Sequence, residues 1–457
     1  MANAAVEYLT PMPHTPQSTH GAASAGDPYL STSGNGGYLV THYDLDLNYR
    51  VETNQLRGTA TISATATMAL DRFSLDLAGL SVEKVTVNGE RPRKLSQAAR
   101  KVIVSPAATI EAGERFEIVV RYGGAPRPVR SPWGDVGWEE LADGVIVASQ
   151  PSGAASWFPC NDHPSNKATY RIALACESRY TVVANGTLVE KSTRSGRTTW
   201  VYEMPQPMAT YLATVQIGRY TRRDLPSSSV SRQLYFPAEL APEVTTDFSR
   251  LDDMITLFSE LFGPYPFDVY AVVVTADVLE IPLEAQGLGI FGRNHVDGAH
   301  GSDRLIAHEL AHQWFGNSLT LARWHDIWLH EGFACYAEWL WSEASGSRTA
   351  HENAVAYRAR VKAVPKDSLV VGDPGPHSMF DDRVYKRGAL ALHAIRTAVG
   401  DAAFFDAVRA WALARRHGSV ASSDFVAFFT EHTGSPLVAS IVDRWIYSVA
   451  LPELMVP

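Results

Sequence analysis

The chain has 457 residues, 46% of them hydrophobic and 19% charged, and a formal net charge of −9. This composition is ordinary for a globular protein of several domains, and the negative charge argues against nucleic acid as a partner. The sequence contains no apolar run of about 18 residues, the length that a membrane-spanning helix needs, so we predict no membrane span.

The first 27 residues are rich in Ala, Ser, Thr, Pro and Gly. Such a segment buries too little apolar surface to order itself, so we predict a flexible tail over residues 1–27. The segment also lacks the charged start and apolar centre of a signal peptide. We therefore expect a cytoplasmic protein, or a secreted one if a native leader has been removed.

Residues 28–222 have the pattern of an antiparallel β domain. In YDLDLNYRV (residues 43–51) apolar residues alternate with polar ones, which is typical of a half-buried strand. Asn88-Gly89 and Asn185-Gly186 each follow a strand-like run and predict tight hairpin turns. Asn185 also begins a formal glycosylation sequon, although we favour the hairpin role.

Residues 223–457 change to a helical pattern, with a small sheet predicted at their start. The predicted helices, which Pro and Gly mostly separate, cover residues 303–317, 326–345, 388–399, 401–416 and 423–433. The predicted fold class is therefore α+β, with an antiparallel β domain followed by a mostly helical domain.

The stretch HELAH places His308 and His312 four residues apart on one of these helices. Side chains at this spacing project from the same face, and two neutral imidazoles there can bind one metal ion. Glu309 adjoins the pair and can act as a general base on a water molecule. The spacing alone is also compatible with a chance match on a buried helix.

A hydrolytic zinc site needs a third protein ligand and an open fourth position. Glu331 lies 19 residues after His312, which allows a turn and a return past the first helix. His325 and His330 are competing candidates. Adjacent helical residues point about 100° apart, so His330 and Glu331 cannot both face the metal. This reasoning favours Glu331 modestly.

Several segments resemble the gluzincin aminopeptidases of peptidase family M1, the group that includes aminopeptidase N. They are HELAHQWFGN, WFPCNDHPSNKATY, LFGPYPFDVY and WLHEGFA, where His330 replaces the Asn of the family pattern. The resemblance covers most of residues 38–457. It implies a saddle-like β domain over residues 28–222 and a thermolysin-like catalytic domain over residues 223–457. We expect a short, two-domain form.

The resemblance also implies roles for particular residues. It implies that one Zn²⁺ is bound by His308, His312 and Glu331, with Glu309 as the general base. The segment VYKRG is similar to the family's V-Y-E-K-G and puts Tyr385 at the tyrosine that stabilises the transition state. Asp326 is a candidate hydrogen-bond partner for a ligand imidazole.

The residues implied to hold the substrate depart from the usual family pattern. PLEAQ replaces most of G-x-M-E-N but keeps Glu284, the glutamate that pairs with the substrate's α-ammonium in the family. Gln150 occupies the anchor position of a loop from the β domain. Ser152 stands where some relatives have a second acidic residue, so we expect weaker anchoring of the amine.

We therefore expect a zinc aminopeptidase acting on peptides with a free N-terminus. Two alternatives remain at this point. One is a related zinc hydrolase, such as an endopeptidase or an epoxide hydrolase. The other is a non-catalytic binding module on the same scaffold, which is disfavoured because every catalytic position holds a competent residue. The sequence leaves the oligomeric state and the preferred first residue open.

Overall fold

A computed structural model describes residues 19–226, 230–363 and 369–454. Its first half is built from strands: β1 (Tyr38–Arg50), β2 (Gln55–Ala66), β3 (Phe73–Asp76), β4 (Ser81–Val87), β5 (Lys94–Ala98), β6 (Lys101–Ser105), β7 (Arg115–Gly124), β8 (Val129–Ser131), β9 (Gly134–Leu141), β10 (Gly144–Ala148), β11 (Lys167–Glu177), β12 (Thr181–Ala184), β13 (Thr187–Arg194), β14 (Arg197–Ala209) and β15 (Val215–Gly218).

These strands form three sheets. The largest has the order β13-β14-β11-β1-β2-β7-β4, the second β12-β15-β10-β9-β8, and the third β3-β6-β5. Neighbouring strands are antiparallel except for the parallel pair β1 and β11. The predicted alternation in β1 is confirmed, because Tyr43, Leu45, Leu47 and Tyr49 are all buried in the core.

The second half begins with a mixed sheet and continues with helices. Its elements are β16 (Thr221–Leu225), β17 (Ser231–Phe236), α1 (Ala241–Asp247), α2 (Leu251–Phe262), β18 (Val269–Val274), β19 (Leu283–Ala285), β20 (Leu288–Phe291), α3 (Asp303–Ala311), β21 (Thr320–Leu321), α4 (Trp328–Ala344), α5 (Ala350–Ala363), α6 (Asp382–Val399), α7 (Asp401–Ala414), β22 (Ser419–Val420), α8 (Ser422–Thr433) and α9 (Leu437–Ile446).

The sheet of this half has the order β16-β17-β18-β20-β19, so β19 is an edge strand. The predicted α+β class is therefore confirmed, with a β-rich domain preceding a helical one. No helix among the described residues is long and apolar enough to cross a lipid bilayer.

The two predicted hairpin turns have different outcomes. At Asn88-Gly89 both residues have positive φ, 51° and 80°, and Val87 and Glu90 form a bridge, so the tight turn is confirmed, although the strands on either side, β4 and β5, lie in different sheets and form no hairpin. The hairpin at Asn185-Gly186 is wrong, because this pair leads from β12 in one sheet to β13 in another. The buried Asn185 amide instead donates to Leu212 O and Gln286 O, both at 2.9 Å.

Part of the segment predicted as a tail is integrated into the fold. Residues 1–18 lie outside the described residues. Gly21 N, however, donates to Arg72 O at 2.8 Å, and Asp27, 2% exposed, accepts a hydrogen bond from Trp324 N at 3.0 Å. The prediction of a flexible segment therefore does not describe residues 19–27. The predicted domain boundary, between residues 222 and 223, falls inside β16.

The helices differ from prediction at their ends and in number. The one predicted over residues 303–317 ends at Ala311, and the one predicted over 388–399 begins six residues earlier, at Asp382. Asp381 starts this helix by accepting a hydrogen bond from Arg383 N. The helices α1, α5 and α9 were not predicted, whereas the helical spacing of Phe248, Leu251, Ile255 and Phe258 predicts α2.

Candidate active site

His308 and Glu309 of HELAH lie on the last turn of α3, and His312 is the C-cap residue of this helix. His308, Glu309 and His312 are all buried there. Helix α4 packs beside α3 and carries the buried Glu331 on its first turn. The structure thus brings together three candidate metal ligands that are separated by a loop in sequence.

The distances among these side chains fit a zinc ion. Glu331 Oε2 lies 3.4 Å from His308 Nε2 and 3.5 Å from His312 Nε2. Ligand atoms placed at normal zinc distances around a tetrahedral centre are separated by about 3.4 Å. Two imidazoles and one carboxylate are also a donor set that zinc hydrolases use. The three residues therefore fit a tetrahedral site with one position left for water.

Both ligand imidazoles are oriented through their other nitrogen. His308 Nδ1 lies 2.8 Å from Glu338 Oε1, and His312 Nδ1 lies 3.0 Å from the carbonyl oxygen of Phe315. Arg304 in turn donates to Glu338 Oε2 at 3.0 Å. These contacts turn each Nε2 toward Glu331 and fix the ring in the orientation that metal binding requires.

The interpretation of Asp326 as the partner of a ligand imidazole is wrong. Asp326 instead accepts a hydrogen bond from Ser422 and lies 3.4 Å from His325. Glu338, not Asp326, is the hydrogen-bond partner of the His308 imidazole. It follows Glu331 by seven residues, two helical turns, so the periodicity of α4 already placed both carboxylates on one face.

His325 and His330, the competing candidates for the third metal ligand, have other partners. His330 Nε2 accepts a hydrogen bond from Leu321 N at 2.9 Å, and burial lowers the pKa of His330 to about 3. His325 is paired with Asp326. Neither belongs to a group of potential metal ligands within the described part of the chain.

Glu309 has the properties of a general base. Its Oε2 is buried and has no hydrogen-bond partner among the described residues, which leaves it available to a water molecule. Burial raises the pKa of Glu309 to about 7, and the charges of Glu284 and Glu331 act in the same direction. A carboxylate whose pKa lies near neutrality can both accept and return a proton at physiological pH.

Glu284 lies on the edge strand β19 and faces the same cavity. Its carboxylate and ligand atoms of Glu309 and His312 all lie within 4.8 Å of one another. Gln150, in the loop after β10, donates to Glu284 Oε1 at 2.6 Å. The β domain therefore contributes a side chain that holds the carboxylate of the catalytic half in place.

Sequence reasoning missed the side chains that position β19. Gln313 follows the second ligand histidine, and its amide donates to Ala285 O at 3.1 Å and accepts from Gly287 N at 2.8 Å. Asn317 also donates to Ala285 O, at 3.0 Å. The metal helix and the loop after it thereby fix the strand that carries Glu284. The signal was present as two buried amides directly after HELAH.

Tyr385 completes the cavity from the first turn of α6. Its ring is stacked on that of His308, with centroids 6.0 Å apart and planes inclined by 20°. Burial and the carboxylates of Glu331 and Glu284 raise the pKa of Tyr385 well above its usual value. The phenol therefore keeps its proton and is a hydrogen-bond donor.

Two histidines, a glutamate ligand and an adjacent general base define a metallohydrolase of the zinc peptidase class. The Peptidase M1 N-terminal domain matches residues 40–212, and the Peptidase family M1 domain matches residues 248–445. The chain belongs to peptidase family M1, and its metal is Zn²⁺.

Several curated relatives are aminopeptidases. The chain is 24% identical to endoplasmic reticulum aminopeptidase 1 of Homo sapiens, over 80% of this chain and 42% of that protein. It is also 24% identical to leucyl aminopeptidase of Saccharolobus solfataricus, over 91% of this chain and 54% of that protein. The chain thus spans about half the length of these relatives.

Among solved structures, one relative matches nearly end to end. The M1 zinc metallopeptidase of Deinococcus radiodurans is 32% identical, has a TM-score of 0.87, and is covered to 100% by 95% of this chain. A mutant of that protein was crystallised with the substrate Tyr-Ser-Ala. Yeast LTA4 hydrolase, at 21% identity and a TM-score of 0.77 over 91% of this chain and 69% of that one, shares the fold.

Proposed function

We propose that this chain is a zinc-dependent aminopeptidase that hydrolyses the first peptide bond of peptides with a free N-terminus. The observation that carries the proposal is the position of Glu284, held by Gln150 beside the general base Glu309. A carboxylate there can pair with the substrate's α-ammonium and places the first peptide bond at the metal. The aminopeptidase names of the relatives and the tripeptide bound to the Deinococcus relative support the same substrate class.

The protein's own side chains have three tasks in this reaction. A zinc ion bound by His308, His312 and Glu331 supplies a Lewis acid that polarises the scissile carbonyl and acidifies a water molecule. Glu309 accepts a proton from the attacking water and later gives it to the leaving amine. Tyr385 donates a hydrogen bond to the oxyanion that develops on the carbonyl oxygen.

The preference for a free amine follows from desolvation. Glu284 is half-buried beside the buried Glu309 and His312, and an acylated substrate would leave its carboxylate without a cationic partner. Sites built to bind one polar group reject analogues that lack it by large factors, because the buried partner remains unpaired. This argument separates an aminopeptidase from an endopeptidase built on the same metal site.

Product analysis of a defined tripeptide such as Tyr-Ser-Ala tests the proposal. We expect free tyrosine and the dipeptide Ser-Ala to form first, and an excess of chelator to stop the reaction. Initial release of the C-terminal residue, or cleavage of longer peptides at internal bonds, would contradict the proposal. Turnover that persists after metal removal would contradict the zinc mechanism itself.

A further inference from the structure

Residues 373–380 form a loop, called here the 373–380 loop, through which the helical half of the protein contacts its β domain. The loop contains a short 3-10 turn, Pro376–Ser378, and runs directly into α6, which carries Tyr385. Its backbone forms local hydrogen bonds, such as Ser378 N to Gly375 O at 3.1 Å. Further contacts come from two aromatic side chains of the β domain.

The first of these is Tyr29, which is buried in the 3-10 turn Pro28–Leu30. Its hydroxyl donates to Asp373 Oδ1 and accepts a hydrogen bond from Gly375 N at 2.6 Å. The hydroxyl thus contacts one side chain and one backbone amide of the 373–380 loop. Tyr29 and Gly375, which are far apart in sequence, are therefore joined by a direct hydrogen bond.

The second is Trp133, in the connection between β8 and β9. Its indole Nε1 donates to Pro376 O at 2.7 Å. The same indole meets the ring of Phe380 edge to face, with centroids 6.1 Å apart and planes inclined by 81°. Together, Tyr29 and Trp133 contact the loop at its start, its middle and its end.

The end of the loop determines how the chain enters α6. Asp381 is the N-cap of α6, so Phe380 occupies the position before the cap and Tyr385 the fourth helical position. Apolar residues at these two positions set the entry angle of a chain into a helix. Tyr385 lies on the first turn of α6, so the direction in which the chain enters this helix sets where its side chain is placed.

We propose that Tyr29 and Trp133 are positioning residues that fix the 373–380 loop and thereby set the place of the Tyr385 hydroxyl in the transition state. The proposal rests on the proposed function, in which Tyr385 stabilises the oxyanion. Neither residue needs to touch the substrate. Their effect is transmitted through the loop and the first turn of α6.

The test uses Tyr29→Phe and Trp133→Phe, each of which removes hydrogen bonding and keeps an aromatic ring. We expect kcat to fall about tenfold with little change in KM, since a small displacement of a catalytic group is costly. The zinc content should stay at that of the wild type. Tyr180→Phe is the matched control, because it removes a buried tyrosine's bond to Asp143 inside the β domain. It should leave kcat unchanged.

The decisive comparison repeats both substitutions in a Tyr385→Phe background. If they act through Tyr385, they should cause no further loss of kcat there, because residues acting as a unit are not additive. Equal fold-losses in both backgrounds would overturn the proposal, and so would unchanged kcat in both single variants.

The affinity for a phosphinic pseudopeptide gives a second readout that does not depend on which bond the enzyme cleaves. Tyr29→Phe should weaken binding of this transition-state mimic while Tyr385 is present, and not in the Tyr385→Phe variant. A loss that is the same in both would overturn the proposal. Failure of the wild type to release N-terminal residues would instead contradict the proposed function. If one variant does not fold, the other carries the same comparison.

Discussion

At the scale of single residues, Glu309 has the environment expected of a general base. Its Oε2 is buried without a partner among the described residues, and its pKa is raised to about 7 by burial. A buried carboxylate oxygen without a hydrogen-bond partner is unfavourable in the folded state, and the proposed proton exchange during turnover accounts for its presence.

Replacing this carboxylate separates catalysis from metal binding. Glu309→Gln should lower kcat by about 10²–10⁴-fold, since the amide cannot accept the proton of the water molecule. The bound zinc, measured by atomic absorption, should remain at one per chain. A variant with wild-type kcat would show that another group is the base.

Glu338 contacts the Nδ1 of His308, one of the three proposed zinc ligands. Glu338→Gln should weaken zinc binding by about 10–100-fold, because the 2.8 Å contact to His308 Nδ1 loses its charge. Competition with a chromophoric chelator measures this change. Glu343→Gln, a carboxylate farther along α4, serves as the control and should leave zinc affinity unchanged. A similar zinc affinity in both variants would contradict the role of Glu338.

At the scale of elements, β19 depends on α3 and the loop that follows it. Gln313 satisfies one donor and one acceptor of the strand turn, so the metal ligands and Glu284 share one support. Glu284, the carboxylate proposed to bind the substrate's amine, is thereby held close to the proposed metal ligands.

Removing that support should affect both stability and substrate binding. Gln313→Met keeps the volume but leaves the buried Gly287 N without an acceptor, at a cost of about 1–3 kcal/mol, whereas Ala285 O keeps its hydrogen bond from Asn317. We expect a lower melting temperature and a higher KM for short peptides, measured by calorimetry and initial rates. An unchanged KM would show that β19 is positioned by other contacts.

Some features of the site and of the fold could be predicted from the sequence, and others could not. The metal-binding residues could be proposed from HELAH and WLHEGFA, because ligand spacing on two helices is a local property. The course of the chain at Asn185-Gly186 could not be predicted, since the strands on either side, β12 and β13, pair with distant partners in different sheets. Helix α5 escaped prediction because the apolar residues of AHENAVAYRARVKA are spread around the helix and form no stripe on one face. The contact of Gln150 with Glu284 depends on how two domains pack.

At the scale of the whole molecule, Lys167 joins the two halves. Its ammonium, on β11, donates to Asn317 O at 2.9 Å and to Ser318 O at 2.8 Å, just beyond the metal helix. Burial lowers the pKa of Lys167 to about 7. The lysine therefore fastens the β domain to the loop that follows α3, and its partners among the described residues are backbone carbonyls rather than a carboxylate.

This arrangement predicts a pH-dependent stability. Between pH 7 and about 10, the unfolded chain keeps the lysine protonated while the folded protein releases the proton. The unfolded state then binds more protons, so the free energy of unfolding should rise with pH relative to Lys167→Met. Denaturant titrations of both proteins across this range measure the difference. A constant difference would contradict the lowered pKa.

The central claim is that Glu284 selects substrates with a free N-terminus. Its most direct test is the ratio of kcat/KM for one amino-acid amide and for its N-acetylated form, measured with the zinc-loaded wild type. We predict that acetylation lowers kcat/KM by at least about 100-fold, because it leaves the half-buried carboxylate of Glu284 without a cationic partner. Equal values for the two substrates would contradict the assignment as an aminopeptidase.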